Sequence, residues 1–342
     1  MRALVKEAPG PGATATTRPD PVPGPTDVLL RVEAASVCGT DREVHEWTPA
    51  AQAFGVSTPR VLGHEGVGTV LEVGREVTAV GPGDRVALES HVACGSCFSC
   101  RTGNGHHCGA TAILGMHLDG VFAERVAVPE RICVPVPDAI PTEVGALLEP
   151  AGVAWHAVQR SGMTGAGGTV LVTGAGPVGL VIAQLSVLLG ATTVVVVEPN
   201  PFRRERAASL GVVALSPDDD VVAACRDLTA RGGVDVAFEA SAAAAAFPTI
   251  FEAVRREGTV VTVGHPAAPV GVDVAAWVNK KGVTLRGVFG RRLWDTWEAM
   301  VPLVASGRLD LSWLVTHRLG LEQLDEAVDL LAGEASKVLL VP

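Results

Sequence analysis

Residues 94–108 read Cys94-Gly-Ser-Cys97-Phe-Ser-Cys100 and close on Cys108, and four thiols so spaced constrain this chain more than any other stretch. Two successive two-residue gaps bring neighbouring thiolates within reach of one ion at the ~2.3 Å that zinc prefers, and a fourth sulfur from a short loop completes a tetrahedral shell. A shell closed by four sulfurs leaves no position for a reactant, so the segment is predicted to hold a structural zinc. A disulfide framework fits poorly. The chain has seven Cys, an odd number, its opening residues do not read as a secretory signal, and its 342 residues can bury a core of their own.

A chain of 342 residues exceeds the size at which a single core stops growing, so two domains are expected. Hydrophobic residues at 48% and charged residues at 19% describe a well-buried globular protein. The net charge of -10 argues against nucleic acid as a partner, because a polyanion needs a basic stripe. The Arg pairs Arg203-Arg204, Arg255-Arg256 and Arg291-Arg292 are scattered, and each is expected to be solvated or bound to something small. The richest apolar zone, 170–197, is broken by Gly174, Gly176, Gly179, Gln184, Gly190 and Thr192, so it reads as strand, helix, strand and not as a membrane span. A cytoplasmic protein is expected. Ala242 to Ala246 and Asp218 to Asp220 read as a helix start and a surface loop.

Texture divides the chain into three. Met1 to Lys6, Val28 to Val32, Gly68 to Val73 and Asp84 to Leu88 are short β-rich runs separated by turn signals, which predicts a β-barrel-type domain over residues 1–152 with a zinc lobe at about 90–112. From 153 to 290 the strands Thr169 to Thr173, Val194 to Val197, Val234 to Phe238 and Thr259 to Val263 are apolar throughout and alternate with helical patterns, as in a parallel sheet covered on both faces. The tail, 291–342, returns to mixed character and ends in a helix whose Leu321, Leu324, Val328 and Leu331 share one face before Gly333. It is expected to rejoin the first domain.

Within the middle section, Gly174-Ala-Gly176-Pro-Val178-Gly179 follows a strand and opens a helix running to about Leu189, which is the context a dinucleotide turn requires. Gly174 permits the tight turn, Gly176 lets backbone approach a pyrophosphate at the helix N-terminus, and Gly179 lets helix and strand pack closely. The next strand ends at Glu198, an acidic residue placed to accept both ribose hydroxyls of adenosine and to repel the extra phosphate of NADP, so NAD is the expected coenzyme. Arg203 and Arg204 follow closely and are compatible with stacking on adenine.

Cys38, His64 and Glu149 are dispersed candidate ligands near strand ends or turns, and the apolar flanks of Glu149 imply a buried charge in need of a partner. Together, the Gly63-His64-Glu65-x-x-Gly68 segment, the Cys94 to Cys108 lobe and the glycine turn at Gly174 resemble the zinc-dependent medium-chain dehydrogenase family along the whole chain. The resemblance is strongest to its threonine-oxidising branch, through Cys38-Gly-Thr40-Asp41, Trp47, Glu198-Pro-Asn-Pro-Phe-Arg203-Arg204, Gly287-Val288-Phe289-Gly290-Arg291 with Asp295-Thr-Trp297, and Thr316-His317-Arg318. It implies an α/β architecture, a GroES-like β-barrel catalytic domain plus a doubly wound Rossmann coenzyme domain, with a second, catalytic zinc in the cleft. Cys38, His64 and either Glu65 or Glu149 would hold that ion, and Glu149 could serve as ligand, proton relay or both. The resemblance also implies coenzyme contacts at Val178, Val263, Gly264, Val288 and Phe289, a substrate-side role for His91, and a homo-oligomer, tetramer ahead of dimer.

Bound zinc moves a water pKa from 15.7 to about 7, and a similar change for an alcohol, about nine units, is worth ~12 kcal/mol. Thr40, two residues beyond Cys38, would then hydrogen-bond the substrate oxygen and pass its proton outward. Where threonine dehydrogenases carry a relay His three residues after that Thr, this chain has Glu43, and the nearest imidazole is His45. The expected reaction is NAD-linked oxidation of a secondary alcohol on a small polar molecule, with L-threonine to 2-amino-3-oxobutanoate foremost and a polyol, amino sugar or aminocyclitol as the alternative. A non-catalytic nucleotide-binding protein is the remaining reading, against which Cys38, Thr40, His64 and Glu149 stand together. His106 and His107 are expected on the surface of the zinc lobe, and Cys133 and Cys225 in the core.

Overall fold

In the computed structural model, which describes residues 1–163 and 167–342, two compact units form. One comprises Met1–Pro150 and Arg292–Pro342, the other Ala151–Arg291. The boundary falls inside the helix Leu148–Ser161.

The first unit is built on a seven-stranded sheet. Its path runs Cys133–Pro135, Arg85–Leu88, Glu65–Val73, Asp27–Ser36, Lys337–Val341 and Val315–Gly320, with Arg125–Pro129 also pairing to Asp27–Ser36. The strand Asp27–Ser36 shows why: Val28, Leu30 and Val32 are buried and alternate with the more exposed Asp27, Leu29 and Arg31, the period-two pattern of a sheet with one face on a core. Leu4, Leu62, Val70, Leu88, Phe122 and Val126 join them in one cluster, and the tail adds Leu321, Leu324, Val328, Val338 and Leu340. The tail helix Leu324–Ala332 stops at Gly333. A two-stranded ribbon, His91–Val92 with Ala112–Ile113, closes the base of the four-cysteine lobe. His106 lies buried in that lobe and not on its surface, while His107 beside it is exposed.

The second unit is a six-stranded parallel sheet. Numbered by chain position from Thr169–Thr173, the strands lie in the order 3-2-1-4-5-6. Thr169–Thr173, Thr193–Val197 and Val234–Glu239 are buried almost throughout, as both faces are covered by helices. The crossover order reverses between the strands Thr169–Thr173 and Val234–Glu239, and a crevice opens at their carboxyl ends. Arg291 is fully buried, which removes the solvated alternative for that residue of the Arg pairs. Cys225 is core, and Cys133 in the first unit is half-buried against its core. Among the described residues no helix is long and apolar enough to cross a membrane.

One lysine ties down a helix end in the second unit. The last carbonyls of a helix lack intrahelical donors, and Lys281 Nζ donates to those of Phe251 at 2.7 Å, Glu252 at 3.1 Å and Val254 at 2.6 Å at the end of Ala246–Ala253. Its positive charge also complements the helix dipole. Lys281→Met is expected to lower stability by about 1.5–3 kcal/mol, the range for hydrogen bonds to a charged group, read as a lower urea midpoint at unchanged slope.

Candidate functional site

The sheet register of the first unit gathers the dispersed ligands. Strand Asp27–Ser36 ends two residues before Cys38, and its antiparallel neighbour begins at Glu65, which pairs directly with Ser36. Cys38 Sγ, a ring nitrogen of His64 and a carboxylate oxygen of Glu65 consequently lie within 4.8 Å of one another. Glu149 is buried but lies outside that set. Cys38 is also the N-cap of the helix Gly39–Glu46, so Thr40 and Glu43 fall one turn apart on one helix face.

Asp41, at the third position of that helix, does two things. Its Oδ2 accepts from the Cys38 N–H at 2.9 Å, half of a capping box, and its Oδ1 lies 3.2 Å from His64 Nδ1. A carboxylate there puts the ring proton on Nδ1 and leaves Nε2 for an ion. Burial alone would lower the His64 pKa, but Asp41 and then the Cys38 sulfur outweigh it and hold it well above the usual value. An arriving metal therefore displaces a proton. His45, one turn beyond Asp41, lies 3.2 Å from Asp325 of the tail helix.

Glu65 is 1% exposed, and its Oε2 is held by the Ser36 hydroxyl and the Lys337 ammonium. Its Oε1 is buried without a hydrogen-bond partner. Lys337 is itself buried. Burial works against its charge, but Glu65 first, then Cys38 and Glu149, outweigh it and raise its pKa.

In the lobe, all four sulfurs of Cys94, Cys97, Cys100 and Cys108 also lie within 4.8 Å of one another. Backbone N–H groups of Cys97 and Ala110 point at Cys94 and Cys108 at 3.4 Å, and that of Cys94 at Cys108 at the same distance. Such donors favour thiolate: with the N–H groups of Ser96 and Cys97 beside it, Cys94 falls to about 6. At the base of the lobe, the fully buried Glu89 accepts from Trp297 Nε1 at 2.7 Å and from the His91 N–H at 2.8 Å, and lies 3.1 Å from His91 Nδ1. Sequence reading missed Glu89 and gave Asp41 no role. A charged residue in the apolar run before His91, and the Cys-x-x-Asp capping pattern, were the available signals.

The second unit carries a cavity of about 680 Å³ at the carboxyl ends of its strands. Gly174, Gly176, Glu198, Arg203, Ser241 and Thr249 line it, as do Asp219, Asp220, Ala243, Ala245 and Ala246. The two stretches read as a helix start and a surface loop thus border this cavity; Asp220 caps the helix Val221–Asp227, and Ala242 takes a left-handed turn ahead of Ala246–Ala253. Gly174 has φ +93°, and a Cβ on Gly179 would sit 2.0 Å from the Gly174 carbonyl oxygen. Gly176 caps the helix Pro177–Leu188 with open space beside it, and Val178 is half-buried in the first turn. Glu198 Oε2 accepts from the Ala175 N–H at 2.7 Å and Oε1 from the Asn200 N–H at 2.9 Å, which ties the acidic residue to the glycine turn. Val263, Gly264, Val288 and Phe289 follow the ends of the last two strands of the same sheet edge.

Residues 24–138 match the alcohol dehydrogenase GroES-like domain, and residues 177–306 match the zinc-binding dehydrogenase domain. Over its whole length the chain is 40% identical to L-threonine 3-dehydrogenase of Symbiobacterium thermophilum, covering 98% of that protein. The chain belongs to the zinc-dependent alcohol dehydrogenase family. Among solved structures it superposes with a TM-score of 0.89 on a zinc-binding dehydrogenase of Sinorhizobium meliloti 1021 bound to NADP, at 31% identity, covering 100% of this chain and 99% of that one. It superposes with a TM-score of 0.90 on 2R,3R-butanediol dehydrogenase of Bacillus subtilis, at 28% identity, covering 100% and 99%.

For a zinc-dependent alcohol dehydrogenase the donor sets are suitable. Four thiolates suit a closed structural site, whereas one thiolate, one imidazole and one carboxylate leave a position open. An orphaned buried oxygen costs about 1–3 kcal/mol, and an ion beside Glu65 Oε1 would remove that cost. Because outer partners of a ligating His are worth 10–100-fold in affinity, Asp41→Ala is expected to weaken metal binding at Cys38 and His64 by about that factor. Titration with a chromophoric chelator checks this, with the four-cysteine site unaffected.

Proposed function

We propose that this protein oxidises the secondary alcohol of L-threonine to 2-amino-3-oxobutanoate with NAD, using one catalytic and one structural zinc per chain. The observation that carries the chemistry is the cluster of Cys38, His64 and Glu65 with Glu65 Oε1 unpartnered, Cys38 capping the helix that carries Thr40 in its first turn. The full-length likeness to L-threonine 3-dehydrogenase supports the substrate. Zinc held by Cys38, His64 and Glu65 would supply a Lewis acid that makes a substrate hydroxyl acidic near neutrality. Thr40 receives the hydrogen bond of that hydroxyl. Its proton passes through the Thr40 hydroxyl toward Glu43, and the hydrogen on the carbinol carbon leaves as hydride to NAD. His45 does not serve as the relay in this reading, because its ring is engaged with Asp325. Glu149, buried and acting electrostatically on Lys337, adds negative charge near the site. His91 faces the substrate, held by Glu89.

A second reading, a polyol, amino sugar or aminocyclitol as substrate, is favoured by Glu43 standing where a relay His is expected. Purified, zinc-replete protein is expected to reduce NAD with L-threonine, and the same assay runs a polyol and amino-sugar panel. Turnover confined to the panel would replace the threonine reading.

Glu198 favours NAD, since its buried carboxylate faces the cavity where a 2′-phosphate would sit. Glu198→Ala is expected to raise KM for NAD and lower KM for NADP, reducing the preference at least tenfold; an unchanged ratio of kcat/KM values would overturn that role. We place the protein in the cytoplasm as a homo-oligomer, tetramer ahead of dimer. The exposed Leu285 on the edge strand Thr284–Gly287 and the exposed Phe98 on the cysteine lobe support association.

A further inference from the structure

The C-terminal strand does more than complete a sheet. In the first unit Leu339 is the register partner of Ser36, and Ser36 that of Glu65, so three adjacent strands present these positions on one face. Side chains alternate along a strand, and Lys337, two residues before Leu339, falls on the same face. The Val37 N–H to Val338 carbonyl bond, at 2.9 Å, fixes this alignment. Lys337 Nζ thereby reaches Glu65 Oε2, and at 3.1 Å the Ser36 hydroxyl; the Val37 carbonyl lies 3.4 Å away. All three side chains are buried, with exposures of 2% for Lys337, 1% for Glu65 and 0% for Ser36.

A carboxylate has two oxygens, and here they are treated differently. Oε2 has a cation and a hydroxyl. Oε1, on the same carbon and fixed by the grip on its twin, has no hydrogen-bond partner and belongs to the residue gathered with Cys38 and His64. We propose that Lys337, with Ser36, is a positioning residue of the metal centre: it clamps one oxygen of Glu65 and so presents the other to a divalent cation.

Two consequences follow from charge and topology. The Cys38 thiolate and the Glu65 carboxylate together would neutralise a divalent ion, and the Lys337 ammonium offsets part of the negative charge that Glu65, Asp41 and Glu149 bring to this region. The clamp also comes from a residue 272 positions along the chain from Glu65, so the centre is complete only once the last strand has docked.

This inference rests on the proposed metal site, and the experiment separates the two. Zinc and cobalt are titrated into the full-length metal-free protein and into Lys337→Met, Lys337→Arg and Ser36→Ala. Wild type is expected to bind two equivalents. Lys337→Met is expected to keep the four-cysteine equivalent and to bind the second 10–100-fold more weakly, the range found for outer partners of metal ligands. Its cobalt spectrum should shift for that equivalent alone, and Lys337→Arg should recover most of the affinity. A Lys337→Met protein with wild-type affinity and an unchanged cobalt spectrum at the second equivalent would overturn the clamp while leaving the metal site intact. A wild-type chain that binds one equivalent only would overturn both. If circular dichroism shows that Lys337→Met has not folded, Ser36→Ala decides: several-fold weaker binding supports the clamp, and unaltered binding sinks it.

Discussion

Removing a carboxylate from water costs several kcal/mol unless a cation or N–H donors replace the lost hydration, and the first unit buries Asp41, Glu65 and Glu89 side by side in sequence with its candidate ligands. Each leans on a group that folding must bring from elsewhere, although Glu65 keeps Oε1 without a hydrogen-bond partner. Asp41 takes the Cys38 N–H and faces His64, Glu65 takes Lys337 and Ser36, and Glu89 takes Trp297 and the His91 backbone. Two of these compensating groups, Lys337 and Trp297, come from the tail. The segment Arg292–Pro342 is therefore an electrostatic requirement of the first unit, and the sheet register that seats Lys337 is the geometry on which the ligand cluster depends.

The second unit solves a different problem with backbone. Its central strands are buried on both faces, and its cavity forms at the carboxyl edge where the winding reverses, beside strand ends and helix N-termini. Gly174 and Gly179 exist there for close approach: a side chain on either would strike backbone. Glu198 spans the opening of the helix Pro177–Leu188 and its own loop, since its two oxygens accept from Ala175 and Asn200. The residue that would discriminate the ribose thus also holds the glycine turn in shape, which couples coenzyme choice to the turn's integrity.

Legibility from sequence followed the range of the interaction. The four-cysteine lobe, the glycine turn and the apolar parallel strands are local patterns, and their elements lie where periodicity and spacing predict. Asp218 to Asp220 are an exposed loop and the run from Ala242 leads into a helix at Ala246, as their composition indicates, but nothing local shows that they border a cavity; only the crossing of the strands brings them beside Gly174. His106 was expected on the surface of the lobe and is buried, since burial of a polar side chain is decided by neighbours that spacing in the sequence does not show. Lys337 has no local signature at all. It sits in Ser336-Lys337-Val338-Leu339, an ordinary edge of a strand, and its meaning appears only when Ser36 and Glu65 are placed opposite.

The same charges bear on the proposed substrate. A carboxylate is ordinarily a weaker base than an imidazole. As a relay it would be the poorer group. As a recognition group it is the better one, because a carboxylate attracts an ammonium that an imidazolium would repel. Glu43 lies one turn from Thr40 on the same helix face, so in the proposed reaction a molecule whose hydroxyl met Thr40 would bring its neighbouring atoms to the side of the helix that carries Glu43. An amino group on the adjacent carbon, as in a vicinal amino alcohol, gains from that placement, and a neutral polyol gains only a hydrogen bond. The substitution that first casts doubt on threonine is, on charge grounds, an argument for an amine beside the reacting carbon.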